Sequence, residues 1–275
     1  MQLGSNIGGM KWIATLLLIS SAVFADSNYL SLLEKCTEAL GRNGSWKQGE
    51  IEIATTPAEI QRIEKHSKQK LIRMGYSPQE AEKYSRVGVI GEDNYWIWVR
   101  DAVTFPGGIP GTYDRIIRKT GLTGPSGVVI LPVLNNKTII VNINFRHATR
   151  SWELELPRGR REKKETAEQA ALRELKEETG CISSKLIYLG QLSPHSGIVS
   201  GTVPVYYSQV KEIKHRHQDE SEAIEKNVEM TFDELREAFV KGYAIIEIKG
   251  IKTKIYCRDP FLSFAMLQAM WQKLI

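Results

Sequence analysis

Residues 159–181 constrain this chain more than any other stretch, because they combine a loop, a helix and a cluster of acidic residues at fixed spacing. They read GRREKKETAEQAALRELKEETGC. Thr166 and Gln169 have the spacing of a capping box, which predicts a helix that begins near Ala167. Gly180 is typical of the residue that ends a helix. The segment is therefore expected to be a loop that leads into one short, well-delimited helix.

Three glutamates of this predicted helix share one face. At about 100° per residue, Glu174, Glu177 and Glu178 fall within an arc of about 100°. Like charges one turn apart repel each other, and a hard divalent cation relieves that repulsion because it prefers oxygen ligands. Arg173 lies one turn before Glu177 and is expected to pair with it and orient it. Taken alone, the three glutamates fit a solvated helix face equally well.

The complete pattern resembles the Nudix box at every fixed position, from Gly159 through Glu165 to Arg173–Gly180. Cys181 follows where that family usually has an aliphatic residue. The resemblance extends over about residues 95–275. It implies an α+β chain with a Nudix-type α/β/α sandwich around a mixed sheet, and a Nudix pyrophosphatase activity that hydrolyses a nucleoside diphosphate linked to another group.

The same resemblance implies the metal site. Glu174 and Glu178 are the expected direct ligands of Mg²⁺, with Mn²⁺ as the alternative cation. Glu177 is expected to contribute directly or through water, and it joins Arg173 among the expected catalytic residues. The backbone carbonyl of Arg158, just before the box, completes the expected set.

Residues before and after the box resemble those of ADP-ribose pyrophosphatases. Arg146 follows a predicted strand, and Glu155 opens the run Glu-Leu-Pro-Arg-Gly. The resemblance implies that Arg146 contacts a substrate phosphate and that Glu155 lies at the metal or substrate site. Pro194 is the expected turn residue at the substrate. Two residues separate Pro194 from Gly197, however, and the acidic residue that often follows this turn is missing.

An acidic run at residues 219–222 resembles the loop that supplies the catalytic base in that subfamily. Glu220 is the expected base, with Glu222 as the alternative. A carboxylate in such a loop can reach a metal-bound water, whose pKa the cation lowers. An ordinary charged surface loop explains the same residues.

The N-terminal residues have the pattern of a secretory signal peptide. Lys11 precedes a largely apolar run, and Val23-Phe24-Ala25 places small residues at a cleavage site. As a helix, residues 12–24 would span about 20 Å, less than the bilayer core of about 30 Å. We therefore expect residues 1–25 to direct export to the periplasm or the exterior, with no stable membrane span. A membrane anchor formed by an uncleaved signal is the alternative.

The remaining chain divides by its predicted elements. Residues 26–90 are expected to form a helical accessory region, with helix starts at Asn28, Thr56 and Ser77. Residues 91–275 are expected to form the Nudix hydrolase domain. Predicted strands cover 95–99, 126–134, 138–144, 152–156, 185–192 and 203–210, and helices are predicted after Thr231 and Asp259. Three cysteines in 275 residues exclude a disulfide scaffold, and pairing of Cys36 with Cys257 stays open.

The expected reaction is the hydrolysis of ADP-ribose to AMP and ribose 5-phosphate. Alternatives are another Nudix substrate, namely NADH, a dinucleoside polyphosphate or a capped RNA end, and a non-catalytic nucleotide-binding Nudix module. The net charge of +5 is a mild bias that suits an anionic small molecule. No basic groove with interleaved aromatic residues is evident, so the expected partner is a nucleoside diphosphate and not a nucleic acid. A homodimer stays open.

Overall fold

The computed structural model describes residues 28–183, 185–210 and 223–275, and in it the chain divides into two compact units. The first unit comprises residues up to Thr123 together with Gly197–Ser200, and the second comprises Gly124–Ser196 and Gly201–Ile275. The boundary expected between residues 90 and 91 lies inside a strand, Gly88–Glu92, that pairs with another strand of the first unit. Strand pairing therefore extends the first unit beyond the expected accessory region.

The first unit combines helices with an antiparallel sheet. Its helices are residues 28–40 (α1), Pro57–Arg73 (α2) and Pro78–Ser85 (α3). Its strands are Glu52–Ile53 (β1), Gly88–Glu92 (β2), Trp96–Phe105 (β3) and Ile109–Arg118 (β4), with β3 between β1 and β2 and with β4 also paired to β3. The predicted helices are present, but β1 shows that the region 26–90 is not purely helical.

Apolar side chains of helices and strands together form the core of this unit. Tyr29 and Cys36 from α1 and Ile63 from α2 are buried against Val99 of β3 and Ile117 of β4. Amphipathic helices need an apolar surface to cover, and the inward face of β3 and β4 supplies it. The helical region therefore has a sheet as its packing partner.

The second unit is an α/β/α sandwich around a mixed sheet, as the sequence predicted. Its strands are Gly127–Leu134 (β5), Thr138–Arg146 (β6), Ser151–Glu155 (β7), Arg158–Arg160 (β8), Leu186–Leu192 (β9), Val203–Val210 (β10), Ile224–Thr231 (β11), Tyr243–Ile248 (β12) and Ile251–Tyr256 (β13). Its helices are Ala167–Thr179 (α4), Phe232–Lys241 (α5) and Pro260–Trp271 (α6).

The sheet runs in the order β12-β13-β7-β6-β5-β10-β9, with β11 also paired to β6 and β8 to β5. β10 is parallel to β5 and β13 is parallel to β7, and the other pairs are antiparallel. Ile140 of β6 is buried on the face that α4 covers, and its neighbours Ile139 and Val141 are buried on the face that α5 and α6 cover. This alternation is that of a strand buried on both faces.

α4 has the bounds that its sequence predicts. The Thr166 hydroxyl accepts a hydrogen bond from the Gln169 amide, and the Gln169 side chain reciprocates at the Thr166 amide. Gly180 ends the helix in the left-handed conformation, at φ 71°. Cys36, Cys181 and Cys257 are buried free thiols. Within the described ranges, no helix is both long and apolar enough to cross a membrane.

Candidate active site

The site begins where the apolar core beneath α4 ends. Ile140 of β6 packs against Ala171 and Leu175 of α4. Further along β6, Asn142 and Asn144 lie on the same face, because side chains two residues apart in a strand point to the same side. Both asparagines are nearly buried. A buried amide needs hydrogen-bond partners, and the partners of these two are glutamates.

Glu178 is nearly buried at the C-terminal end of α4, where polar groups of the sheet surround it. Its carboxylate accepts a hydrogen bond of 2.6 Å from the Asn142 amide and one of 3.1 Å from the backbone N–H of Arg158. The Asn142 oxygen in turn accepts a hydrogen bond of 2.6 Å from Asn227 of β11. The orientation of Glu178 is therefore set from β6, β8 and β11 together.

Glu174 lies directly against the backbone of Gly159. A Cβ atom at position 159 would fall 1.8 Å from the carboxyl carbon of Glu174 and about as close to its two oxygens. No side chain can occupy that space, so the approach of α4 to β8 requires glycine at this position. The glycine of the sequence pattern thus makes room for the first glutamate of the helix.

Arg173 gathers three carboxylates. Its guanidinium donates to Glu174 at 2.8 Å and to Glu177 at 2.9 Å, and it pairs with Glu165 through two hydrogen bonds of 3.0 Å. These hydrogen bonds, above all those to Glu165, raise the pKa of Arg173, and the same contact lowers the pKa of Glu165. Arg173 therefore attaches the loop before α4 through Glu165, and it orients Glu174 and Glu177 of the helix.

Glu155 on β7 binds two arginines. It accepts hydrogen bonds of 2.8 and 2.5 Å from Arg146, and it pairs with Arg158 at 2.8 Å. Burial raises the pKa of Glu155, but the hydrogen bonds from Arg146 and the charge of Arg158 outweigh burial, so its pKa lies below the ordinary value. Arg158 also pairs with the buried Asp259 at 3.2 Å. Glu155 is thus ionised and fixes the exposed end of Arg146.

The structure brings most of the predicted site residues together. Arg173, Glu174 and Glu177 form one group. Glu178 and the backbone of Arg158 form a second, and Arg146 and Glu155 a third. Pro194 lies exposed in the connection after β9. Glu220 and Glu222 lie outside the described residues.

The sequence interpretation missed the polar partners of these groups. They are Asn142, Asn144, Asn227 and Asp259. One indication was available, because Asn142 and Asn144 alternate within an otherwise apolar run, and polar residues on a buried strand require partners. Their partners lie far away in the sequence and could not be identified from it.

The donor chemistry of the site suits a hard divalent cation. Glu174 and Glu178 are nearly buried carboxylates, and burial of a carboxylate is costly unless charge or hydrogen bonds compensate it. Oxygen ligands of this kind are those of Mg²⁺ and similar ions. Arg173 draws Glu174 and Glu177 towards itself, and among the described residues no three His, Cys, Asp or Glu side chains converge on a common point as metal ligands.

Known proteins resemble this chain in sequence and in fold. A family model for the NUDIX domain matches residues 124–246. The chain is 33% identical over 103 residues to an ADP-ribose pyrophosphatase of Bacillus subtilis (strain 168), a match that covers 37% of this chain and 56% of that protein. It is 26% identical over 129 residues to a methanol dehydrogenase activator of Bacillus methanolicus, which covers 46% of this chain and 69% of that protein.

A solved structure of an ADP compounds hydrolase has a similar fold. The TM-score is 0.50 at 21% sequence identity, and the superposition covers 68% of this chain and 92% of that chain. This likeness supports the fold alone. The curated pyrophosphatase match spans little more than half of that relative's length, so its activity is a hypothesis for this chain.

Proposed function

We propose that this chain, whose residues 124–246 match the NUDIX domain, is a metal-dependent pyrophosphatase whose substrate is ADP-ribose. The products are AMP and ribose 5-phosphate. The observation that carries this proposal is the arrangement of Glu174 and Glu178, nearly buried at the sheet, on the same sheet face as the pair of Arg146 with Glu155. Acidic groups can hold a cation and an arginine can bind a phosphate, and hydrolysis of a diphosphate can use both.

The metal site proposed is that of the helix glutamates. Glu174, Glu177, Glu178 and the backbone carbonyl of Arg158 would hold Mg²⁺, with Mn²⁺ as the alternative. When bound there, a cation would supply neutralisation of charge on a diphosphate and a lower pKa for a bound water. Arg173 positions two of the glutamates, and the amide of Asn142 positions the third.

Arg146 is the proposed phosphate-binding residue. Its side chain is 42% exposed, and the Glu155 carboxylate fixes one edge of the guanidinium. A guanidinium fixed in this way binds phosphate oxygens at little cost in side-chain entropy. Glu220 is the proposed general base, with Glu222 and then Glu177 as alternatives.

A substrate panel tests the proposal. The purified chain is incubated with Mg²⁺ and ADP-ribose, NADH, a dinucleoside polyphosphate, ATP or dGTP, and the products are separated by chromatography. We expect AMP and ribose 5-phosphate from ADP-ribose, with a kcat/KM above that for the triphosphates. A higher kcat/KM for ATP or dGTP would contradict the substrate assignment. Absence of hydrolysis across the panel would support a non-catalytic module instead.

We also propose that residues 1–25 direct export of the protein. The proposal rests on the charged start, the short apolar run and the small residues before Asp26. Mass spectrometry of the protein from its native host should find a mature chain that begins at Asp26. An intact N-terminus would contradict export with cleavage.

A further inference from the structure

Another arginine of the second unit is held in the same way as Arg146. Arg258, two residues after the end of β13, pairs with the Glu153 carboxylate through its Nε and Nη2 atoms, and its Nη2 also donates to the Ser151 hydroxyl at 2.7 Å. The guanidinium lies 4.2 Å from the centre of the Tyr256 ring. Glu153 is as deeply buried as Glu155, whereas the Arg258 side chain is 50% exposed. Two buried glutamates of β7, Glu153 and Glu155, thus each fix one partly exposed guanidinium. The two glutamates lie two residues apart in the strand.

Glu153 accepts more hydrogen bonds than are needed to attach the segment after β13 to β7. Besides Arg258, Thr149 and Ser151 donate to its carboxylate, at 3.1 and 2.8 Å. An ion pair whose arginine is half exposed contributes little net stability. The arrangement does restrict Arg258 to one orientation, because the acid, the hydroxyl and the aromatic ring each contact it. A restricted and exposed guanidinium is suited to binding an anion.

Arg146 and Arg258 face the same side of the sheet. Ser151 of β7 is the cross-strand partner of Arg146, and its hydroxyl accepts the hydrogen bond from Arg258. Partners across a strand pair point to the same face, so the two arginines flank Ser151 on the face that carries Asn142 and Glu155. A guanidinium has five N–H donors, and each of these arginines contacts its glutamate through Nε and Nη2, so each can contact an anion while it stays paired.

We propose that Arg258 is a second phosphate-binding residue of this site, and that Glu153 is the residue that positions it. The ligand is a phosphate group of the nucleoside diphosphate or of its monophosphate product. This inference deepens the proposed function and rests on it for the identity of the substrate. The sheet geometry that carries it is independent of the metal.

The test compares kinetics and equilibrium binding of three variants with the wild-type protein. Arg258→Gln removes the charge, and Arg258→Lys keeps it. Arg236→Gln is the matched control, because Arg236 lies on α5 with a side chain that is 74% exposed and pairs only at the surface with Asp233. A charge-assisted hydrogen bond contributes enough that its loss raises KM for ADP-ribose, and Kd for AMP or ribose 5-phosphate, by about 10- to 100-fold. We expect kcat to change little, Arg258→Lys to recover part of the affinity, and Arg236→Gln to have no effect.

Arg258→Gln leaves Glu153 buried without its cation and could reduce folding. The double variant Glu153→Gln/Arg258→Gln removes both charges and keeps the shape of the buried Glu153 side chain, so it serves as the second test. Its KM and Kd should be as high as those of the single variant. Wild-type KM and Kd in the folded double variant would overturn the inference.

Separate outcomes distinguish this inference from the proposed function. If the wild type hydrolyses ADP-ribose and the double variant has the same KM and Kd, Arg258 has no binding role while the proposed function stands. If the wild type hydrolyses nothing but binds AMP or ribose 5-phosphate more tightly than the double variant, the hydrolase assignment fails and the binding role stands. If the wild type neither hydrolyses ADP-ribose nor binds these phosphates, both fail.

Discussion

Substitution of Gly159 by alanine tests the closest contact of the site. The added Cβ would lie 1.8 Å from the carboxyl carbon of Glu174 and 1.9 and 2.2 Å from its oxygens. All three values are far below van der Waals contact, so the carboxylate must leave its place or α4 must move from β8. Introducing excess volume into a packed interior typically costs about 1–3 kcal/mol. For a unit of this size, that corresponds to a melting temperature lower by roughly 2–12 °C.

A double-mutant cycle identifies the cause of this loss. Gly159→Ala combined with Glu174→Ala removes the carboxylate that the methyl group would meet, so the pair should be more stable than the sum of the single changes predicts, by about 1–3 kcal/mol. Gly159→Ala with Glu174→Gln keeps the obstructing atoms and should show no such relief. Gly91→Ala is the matched control, because its Cβ would meet only a Trp98 ring atom at 3.9 Å.

Thermal and denaturant unfolding of these variants provide the measurement. The expected order of stability places Gly91→Ala near the wild type and Gly159→Ala clearly below it. An unchanged melting temperature for Gly159→Ala, or strictly additive effects with Glu174→Ala, would refute the seating of Glu174 on the Gly159 backbone. The glycine at position 159 of the sequence pattern would then need another explanation.

Further predictions concern the remaining acids and their partners. Glu178→Gln should keep the circular dichroism of the wild type and lose hydrolysis; turnover near that of the wild type would contradict its metal role. Asn142→Ala should weaken Mg²⁺-dependent activity by about 10- to 100-fold because the amide orients Glu178, which a Mg²⁺ titration measures. Glu220→Gln should lower kcat by about 10²- to 10⁴-fold with little change in the Mg²⁺ requirement; if Glu222→Gln alone is affected, the base is Glu222. The pKa of Glu155 is lower in the folded protein than in the unfolded chain. The stability that the ionised Glu155 contributes is therefore present above its unfolded pKa of about 4.3 and is lost as the pH falls through the lower folded value. Glu155→Gln should make the free energy of unfolding less dependent on pH over that range, which acid unfolding curves measure.

Features that depend on neighbouring residues could be predicted from the sequence. The capping boxes at Thr166, Ser77 and Thr231 are all present in the structure. Asn135 and Asn136 form the hairpin turn between β5 and β6, both with positive φ, and asparagine is one of the residues that favour such turns. In each case a short side chain forms a hydrogen bond with the nearby backbone or its residue tolerates the left-handed conformation. Both properties depend on only a few adjacent residues.

Features that depend on residues far apart in the chain could not be predicted from the sequence. Asn142 meets Glu178 across 36 residues, and Arg258 meets Glu153 across 105 residues. Strands β12 and β13 were also missed, although β13 alternates apolar or β-branched residues with lysines from Ile251 to Ile255. The candidate helix and its acids were therefore predictable, whereas the residues that orient those acids depend on a sheet order that local patterns do not specify.

The two faces of β7 explain how acidic residues come to be buried in this sheet. Trp152 and Leu154 alternate with Ser151, Glu153 and Glu155, so the strand packs apolar side chains against the α5 and α6 side and turns its acids towards the site. A glutamate side chain is too short to reach solvent from the middle of a sheet, whereas an arginine side chain can span that distance. The acids thus stay on the rigid scaffold while the arginines carry positive charge to the surface. A charge fixed before a ligand arrives needs no reorganisation to bind it, which favours placing phosphate-binding arginines beside buried glutamates.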